Sequence, residues 1–225
     1  MSDRSQDYAP SARSTLRRRP QRGRYDRKTV HAILDAGLFC HVGQVVDGHP
    51  VVTPTVYWRD GERVYWHGSA HSRPVEAASG SQVCLTVTLL DGLVLARSAF
   101  RHSVRYRSVM AFGQARPVLD DAHKLKTLEA MIERLCPGRW PQIRPPNQAE
   151  LDLTGVVYLD LDEVSAKTRT DGVLDLEADL SASVWAGVLP LSIAVGPPEV
   201  CEQGLRGAPL PKVLRDWSPE RSSGS

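Results

Sequence analysis

The chain has 225 residues, of which 41% are hydrophobic and 24% charged, enough for one globular domain with extensions. No apolar run approaches the ~20 residues needed to cross a bilayer, and the Arg-rich start has no apolar segment of secretory type. The formal charge of +2 hides an asymmetry: residues 1–28 hold nine Arg/Lys and three Asp, a local +6, which leaves −4 for the remainder.

The basic run Arg17-Arg18-Arg19-Pro20-Gln21-Arg22-Gly23-Arg24 reads as a solvated, disordered arm over 1–24. Few aromatics interleave it, so nucleic-acid stacking has little support. Asp26 is placed to cap a helix over 27–37, with Val30, Ile33 and Leu34 on one face and Gly37 at its end. Strand-type runs follow: Phe39–Val46, a turn at Asp47-Gly48-His49, Pro50–Trp58, a second turn at Asp60-Gly61, and Glu62–His67. Two successive hairpins describe an antiparallel meander. Ser72–Ser79 reads as a short helix with Pro74 in its first turn.

Gln82–Leu90 alternates as a strand, Asp91-Gly92 signals a third turn, and Leu93–Ala96 returns. The segment Phe100-Arg101-His102-Ser103-Val104-Arg105-Tyr106-Arg107-Ser108-Val109-Met110-Ala111-Phe112 predicts a long strand to about Pro117. Val104, Tyr106, Ser108, Met110 and Phe112 fall on one side, Arg105, Arg107 and Val109 on the other. It carries three cations and three hydroxyls, a concentration of phosphate-binding groups. Leu125, Leu128, Ile132 and Leu135 define a helix over 120–135, and Pro137–Pro146 reads as a loop. Thr154–Leu161 is the last full strand, with Asp162–Thr170 leading out of it. Beyond 172 the chain looks loose apart from Val184–Pro190, and from Gly196 it is Pro-, Gly- and Ser-rich.

Six or seven antiparallel strands with few helices predict a mainly β fold, a closed or nearly closed barrel with peripheral helices. The domain is placed at 25–170, followed by an extension over 171–195 that packs on the barrel or a partner, and a flexible tail over 196–225. A Rossmann sheet would need crossover helices and a Gly-rich fingerprint, and a P-loop is also absent. Cys40, Cys84, Cys136 and Cys201 lack zinc spacing and suit free thiols in a reducing cytosol.

Between a strand and a helix start stands His67-Gly68-Ser69-Ala70-His71-Ser72-Arg73. Ser69 or Ser72 can cap the helix, its first N–H groups can face an anion, and Arg73 can bind phosphate through two hydrogen bonds. Asp160, Asp162 and Glu163 read as solvated turn residues, and Trp58 and Trp140 as core anchors.

These segments, in this order, resemble the pyridoxamine-phosphate-oxidase-like flavin-binding split barrels, in their nitroimidazole-reductase-type branch. The pieces that carry the resemblance include Tyr25-Asp26-Arg27, Cys40-His41-Val42-Gly43, Asp47-Gly48-His49-Pro50, Val64-Tyr65-Trp66-His67-Gly68-Ser69 and Tyr106-Arg107-Ser108-Val109. Pro137-Gly138-Arg139-Trp140 and Val184-Trp185-Ala186-Gly187 belong to the same set. The resemblance implies a split barrel that binds FMN at a homodimer interface. Val52, Thr53, Pro54 and Thr55 would then line the isoalloxazine edge, and Ser69, Ser72 and Arg73 would hold the phosphate. Tyr106, Arg107 and Ser108 would border the site, and Lys167 and Trp185 would reach in from the partner subunit. His67 would lie by the ligand as a candidate proton donor or stabiliser of reduced flavin. The Arg-x-His motif of true pyridoxamine-phosphate oxidases is missing after residue 185.

The implied activity is a cytoplasmic oxidoreductase that takes hydride from a nicotinamide donor and reduces a small, planar, electron-poor substrate such as a nitro compound. Two other classes stay open: a binding protein that holds flavin, haem or a deazaflavin without turnover, and a dimeric scaffold whose basic arm touches nucleic acid.

Overall fold

The computed structural model describes residues 7–199, 201, 209–211 and 214. In chain order its elements are β1 (Gly23–Arg24), α1 (Arg27–Ala36), β2 (Phe39–Val46), β3 (His49–Asp60), β4 (Arg63–Ser69), α2 (Arg73–Ala78) and β5 (Gln82–Leu95). Then come β6 (Ser103–Gln114), β7 (Arg116–Pro117), α3 (Asp121–Leu135), α4 (Gln148–Leu153), β8 (Thr154–Asp160), β9 (Glu163–Arg169) and β10 (Gly187–Pro190). The class is mainly β, with ten strands rather than six or seven.

All pairings are antiparallel, in the order β1-β9-β6-β5-β2-β3-β4-β8-β7, with β10 on β5. The path returns on itself through β6. β6 runs through Ala115 into β7, which pairs with β8 at Arg116–Tyr158 and Pro117–Val157. One continuous segment therefore serves both sheets, and the barrel has no open seam there. β3 divides in the same way: Val56 pairs back to Phe39 of β2, while Tyr57–Asp60 pair with β4.

Two apolar layers result. Inside the barrel lie Tyr57, Trp66, Leu85, Val87, Val109, Ala111, Leu159 and Val164, plugged at one end by Val30, Ile33 and Leu34 of α1. Each fully buried aliphatic of that kind contributes about 1.5–3 kcal/mol. Asp26 starts α1 by accepting from the Thr29 amide, as its sequence position predicts. On the outside, Trp58, Tyr65 and Val156 pack under Leu128 of α3 and Leu151 of α4. Trp58 and Tyr65 are direct cross-strand partners, stacked 5.8 Å apart. Both faces of β3 and β4 are therefore covered in this stretch, which fixes their register.

Departures from the sequence reading have physical causes. The first is the arm, expected as disordered over 1–24; residues 1–6 lie outside the described part, but from residue 7 it is docked. Tyr8 is 3% exposed, its hydroxyl donates to Glu62 and meets His31 Nε2 at 2.8 Å, and the Arg27 guanidinium lies 4.3 Å over its ring. Arg13 and Ser11 bond Glu163, and β1 adds a strand beside β9. A second concerns Asp91-Gly92, which is not a turn: β5 runs through it with a bulge at Leu90/Gly92, and the Arg107 guanidinium grips both Asp91 oxygens at 3.0 and 2.8 Å. A third is that residues 147–153, to which the sequence reading gave no element, hold a helix, α4, which begins with a capping box between Asn147 and Glu150. Lastly, two of the three acidic residues at the β8–β9 turn are paired rather than solvated: Asp160 binds Arg63 and Arg116, and Glu163 binds Arg13, while Asp162 is exposed.

Residues 162–170, expected only to lead out of the strand ending at Leu161, hold the full strand β9 between β6 and β1, because the barrel needs a partner on the free edge of β6; after it the chain returns to the barrel. Asp175 accepts from the Arg97 amide and guanidinium at 3.0 and 2.8 Å, and β10 occupies the edge of β5 that β2 leaves free. The expected flexible tail over 196–225 falls largely on residues outside the described ones. Among the described residues no helix is long and apolar enough to cross a membrane, and no group of His, Cys, Asp and Glu could hold a metal ion. Cys40 is buried, and its desolvated thiol is pushed up to about 12.

Candidate functional site

The β2–β3 hairpin closes on Asp47 and Gly48, both at positive φ (51° and 78°), which matches the twist of the paired strands. Along β3, Thr53 and Thr55 pair with Val42 and Cys40. Their half-buried side chains share the face of those two residues, while Val52 and Pro54 point outward and are exposed. β4 brings Trp66, His67 and Gly68 beside them. Facing glycines, Gly68 on β4 and Gly155 on β8, make a shallow seat for α2. A Cβ on either would lie 2.9 or 2.6 Å from Val75, so α2 can approach only because both side chains are missing. Ser72 is thereby carried to the rim.

Thr53, Thr55, His67, Gly68 and Ser72 thus line one cleft with Val42, Gln44, Trp66 and Val75. The cleft has no charged lining residue. It holds about 110 Å³, well under the ~300 Å³ of a typical small-molecule site.

His67 is the chemically open group here. Its Nδ1 is buried and has no hydrogen-bond partner, and the ring sits 6.0 Å from Trp58. Burial pushes its pKa below the ordinary histidine value, so the imidazole is neutral at physiological pH. An unpartnered buried nitrogen costs roughly 1–3 kcal/mol. That cost is recovered when a bound molecule supplies the partner.

At the helix start the hydrogen bonds of Ser72 are internal. Ser72 occupies the N-cap, but its hydroxyl donates back to the Ser69 carbonyl at 2.8 Å. Val75 and Glu76 both give their N–H to the Ser72 carbonyl at 3.0 Å, and Pro74 has none to give. The Arg73 side chain lies outside the described residues.

The remaining expected residues fall elsewhere. Arg107 is engaged by Asp91. Ser108 donates weakly to the Lys167 carbonyl at 3.4 Å. Trp185 is 64% exposed and lies against Gly187. Tyr106 and Lys167 line a different and larger cleft of about 450 Å³. That cleft also takes residues from the arm, from the turn before β6 and from the end of β9, a grouping that no linear motif announces. The alternation along β6 is as read from the sequence, but Val109 and Ala111 face the core while Met110 is exposed.

The model of the family described as pyridoxamine 5′-phosphate oxidase matches residues 26–168. The chain belongs to this family. Among solved structures of similar proteins is the flavocytochrome Anf3 from Azotobacter vinelandii, 43% identical, with a TM-score of 0.88 over 94% of this chain and 99% of that one. The FAD and heme binding protein from Mycobacterium smegmatis is 34% identical, with a TM-score of 0.83 over 86% of this chain and 96% of that one. A candidate 5-nitroimidazole antibiotic resistance protein from Bacteroides thetaiotaomicron shares the fold, at 20% identity and a TM-score of 0.53, over 64% of this chain and 85% of that one. No curated protein matches the chain. Family membership accounts for the split barrel and for the β2–β3–β4 cleft, but the fold alone does not choose a reaction.

Proposed function

We propose that the chain is a flavin-binding oxidoreductase that acts as a homodimer, with the isoalloxazine ring against Thr53, Thr55 and His67. The observation that carries this reading is the 43% identity with a flavocytochrome over almost the full length of both chains. The cleft fits the assignment. It is uncharged, walled by Val42, Trp66 and Val75, and it offers hydroxyls and one unpartnered imidazole nitrogen. A flavin bound there would supply electron acceptance from a nicotinamide donor and electron release to an acceptor.

The residues of this chain then have separate tasks. Thr53 and Thr55 hydrogen-bond polar edges of the ring. His67, neutral and desolvated, gives or takes one hydrogen bond at Nδ1 and so biases the ring's protonation. Phe39, Val52 and Met110 are exposed, and a partner subunit covering them would close the cleft. FMN is the smaller flavin compatible with this reading, and FAD, which the mycobacterial relative binds, is the larger.

Two acceptors divide the reading. One is a small, planar, electron-poor substrate such as a nitro compound. The other is a haem on the same chain, favoured because the relatives at 43% and 34% identity are a flavocytochrome and a FAD and heme binding protein. Absorption spectra of the purified protein, before and after anaerobic mixing with NADH or NADPH, test both. Flavin bands that bleach support the oxidoreductase, and an added haem band that sharpens on reduction selects the flavocytochrome. A colourless protein that takes up no flavin refutes both.

A further inference from the structure

The larger cleft, of about 450 Å³, is a strongly cationic place that the flavin reading leaves unused. Six basic residues line it: Arg18, Arg19, Arg22, Arg101, Lys167 and Arg169. They come from three regions distant in sequence. The arm supplies three, the turn before β6 supplies Arg101, and β9 supplies the last two. The arm is held there by β1, whose Gly23 and Arg24 pair with Lys167 and Ala166. Arg19, just before Pro20, sits at φ 59°, a left-handed conformation that is strained for a non-glycine residue.

Acidic compensation is small. Asp171 meets Arg22 at 2.7 Å and reaches Arg169 only at 3.9 Å. Asp175, on the neighbouring segment, hydrogen-bonds Arg97 and acts on Arg101 only through space. The Nε atoms of Arg101 and Arg169 are both buried without a hydrogen-bond acceptor, and the Arg169 side chain is 11% exposed. Two buried guanidinium N–H groups without acceptors, set among four further cations, suit an anion with several oxygens. The same cleft has an aromatic side: Tyr106 lines it, and the Phe100 ring is 90% exposed at its edge. An exposed ring beside a cation cluster suits a flat base next to a charged chain.

We propose that this cleft binds the adenosine diphosphate group of a dinucleotide, with the diphosphate on Arg101, Lys167, Arg169 and the arm arginines, and the base against Phe100 and Tyr106. The group has two sources, a flavin dinucleotide or a nicotinamide donor. The inference rests on the cation cluster rather than on the flavin cleft, so a protein that bound no flavin but bound ADP would leave it standing.

Calorimetric titration of the full-length protein with ADP, AMP and adenosine tests the proposal. ADP binds at least tenfold tighter than adenosine, with AMP between them, and added salt weakens ADP most, AMP less and adenosine little. Arg101→Gln and Arg169→Gln each weaken ADP by roughly ten- to hundredfold. Arg116→Gln, a cation paired with Asp160 on the other sheet, changes nothing. Arg101 lies on a surface turn, so its variant keeps the test valid if Arg169→Gln does not fold. ADP that binds only flavin-free protein assigns the site to a flavin dinucleotide, and ADP that binds flavin-loaded protein assigns it to the nicotinamide donor. Failure of ADP to bind either form, or equal binding of ADP and adenosine, overturns the proposal.

Discussion

Docking of the N-terminal arm rests chiefly on Tyr8, and truncating that side chain measures it. A buried aromatic side chain removes some 150–250 Å² from water, and at about 25 cal/mol per Å² that is an upper bound of ~4–6 kcal/mol. The Arg27 guanidinium over the ring adds ~0.5–1 kcal/mol. Losses for such truncations centre on about 3–5 kcal/mol, and the global effect cannot exceed the free energy that docks the arm. Tyr8→Phe removes only the hydroxyl. That hydroxyl has one proton, given to Glu62, so His31 must donate to it from Nε2. Glu62 keeps its pairing with Arg27 and is about one-third exposed, so the Phe variant loses only about 1 kcal/mol. Thermal unfolding reads both, at ~2–4 °C per kcal/mol for a chain of this size. Hydrogen exchange adds the location: amides in residues 8–24 are protected in the wild type and released in Tyr8→Ala. Should Tyr8→Ala unfold within ~0.5 kcal/mol of wild type, or those amides exchange freely in the native protein, the docked arm is wrong and the cationic cleft loses three of its arginines.

Other consequences are as direct. Arg134 donates to the Leu34, Asp35 and Gly37 carbonyls at the end of α1, so Arg134→Met leaves them short of a donor and costs about 2–4 kcal/mol in urea unfolding. Gly155→Ala drives a methyl to within 2.6 Å of Val75; it costs ~1–3 kcal/mol, and because α2 shifts, bound flavin dissociates faster. Burial holds the His67 and His31 imidazoles below their ordinary pKa. The unfolded chain therefore takes up protons first as pH drops through about 6.5, so stability is full above that pH and declines below it. His67→Gln makes the decline shallower, and an unchanged profile would contradict the buried, neutral state of His67.

The barrel was legible because its signals are local. Alternation and two Asp-Gly turns define β2, β3 and β4, and an Asp cap with a terminal Gly defines α1. Asp91-Gly92 misled because a turn dipeptide stays extended when Arg107, on the neighbouring strand, takes up the Asp carboxylate. The arm misled because its composition is polar and basic, while its docking depends on Tyr8 meeting Glu62 and His31 far along the chain. In α4 the signal was present, Asn147 followed by Glu150, just past the proline-rich loop that ends at Pro146.

The two clefts divide in the same way. Thr53, Thr55 and His67 sit on adjacent strands of one meander, so sequence order brings them together. The cationic cleft needs the path β1-β9-β6 to unite residues 18–22, 101 and 167–169, and no spacing along the chain encodes that. The same topology explains why Ser72 and Arg107 looked like phosphate ligands. Their polar groups are already committed, to the Ser69 carbonyl and to Asp91.

The flavin cleft is the central claim, and titration of flavin into flavin-free protein tests it most directly, with wild type compared against Thr53→Val and His67→Leu. Quenching of flavin fluorescence reports binding, and the mass of the small molecule released from freshly purified protein identifies it. The account predicts saturable binding at one flavin per chain, weakened by roughly tenfold or more in each variant for the hydrogen bond removed. Absence of quenching in the wild type, or equal affinity in all three proteins, would contradict it.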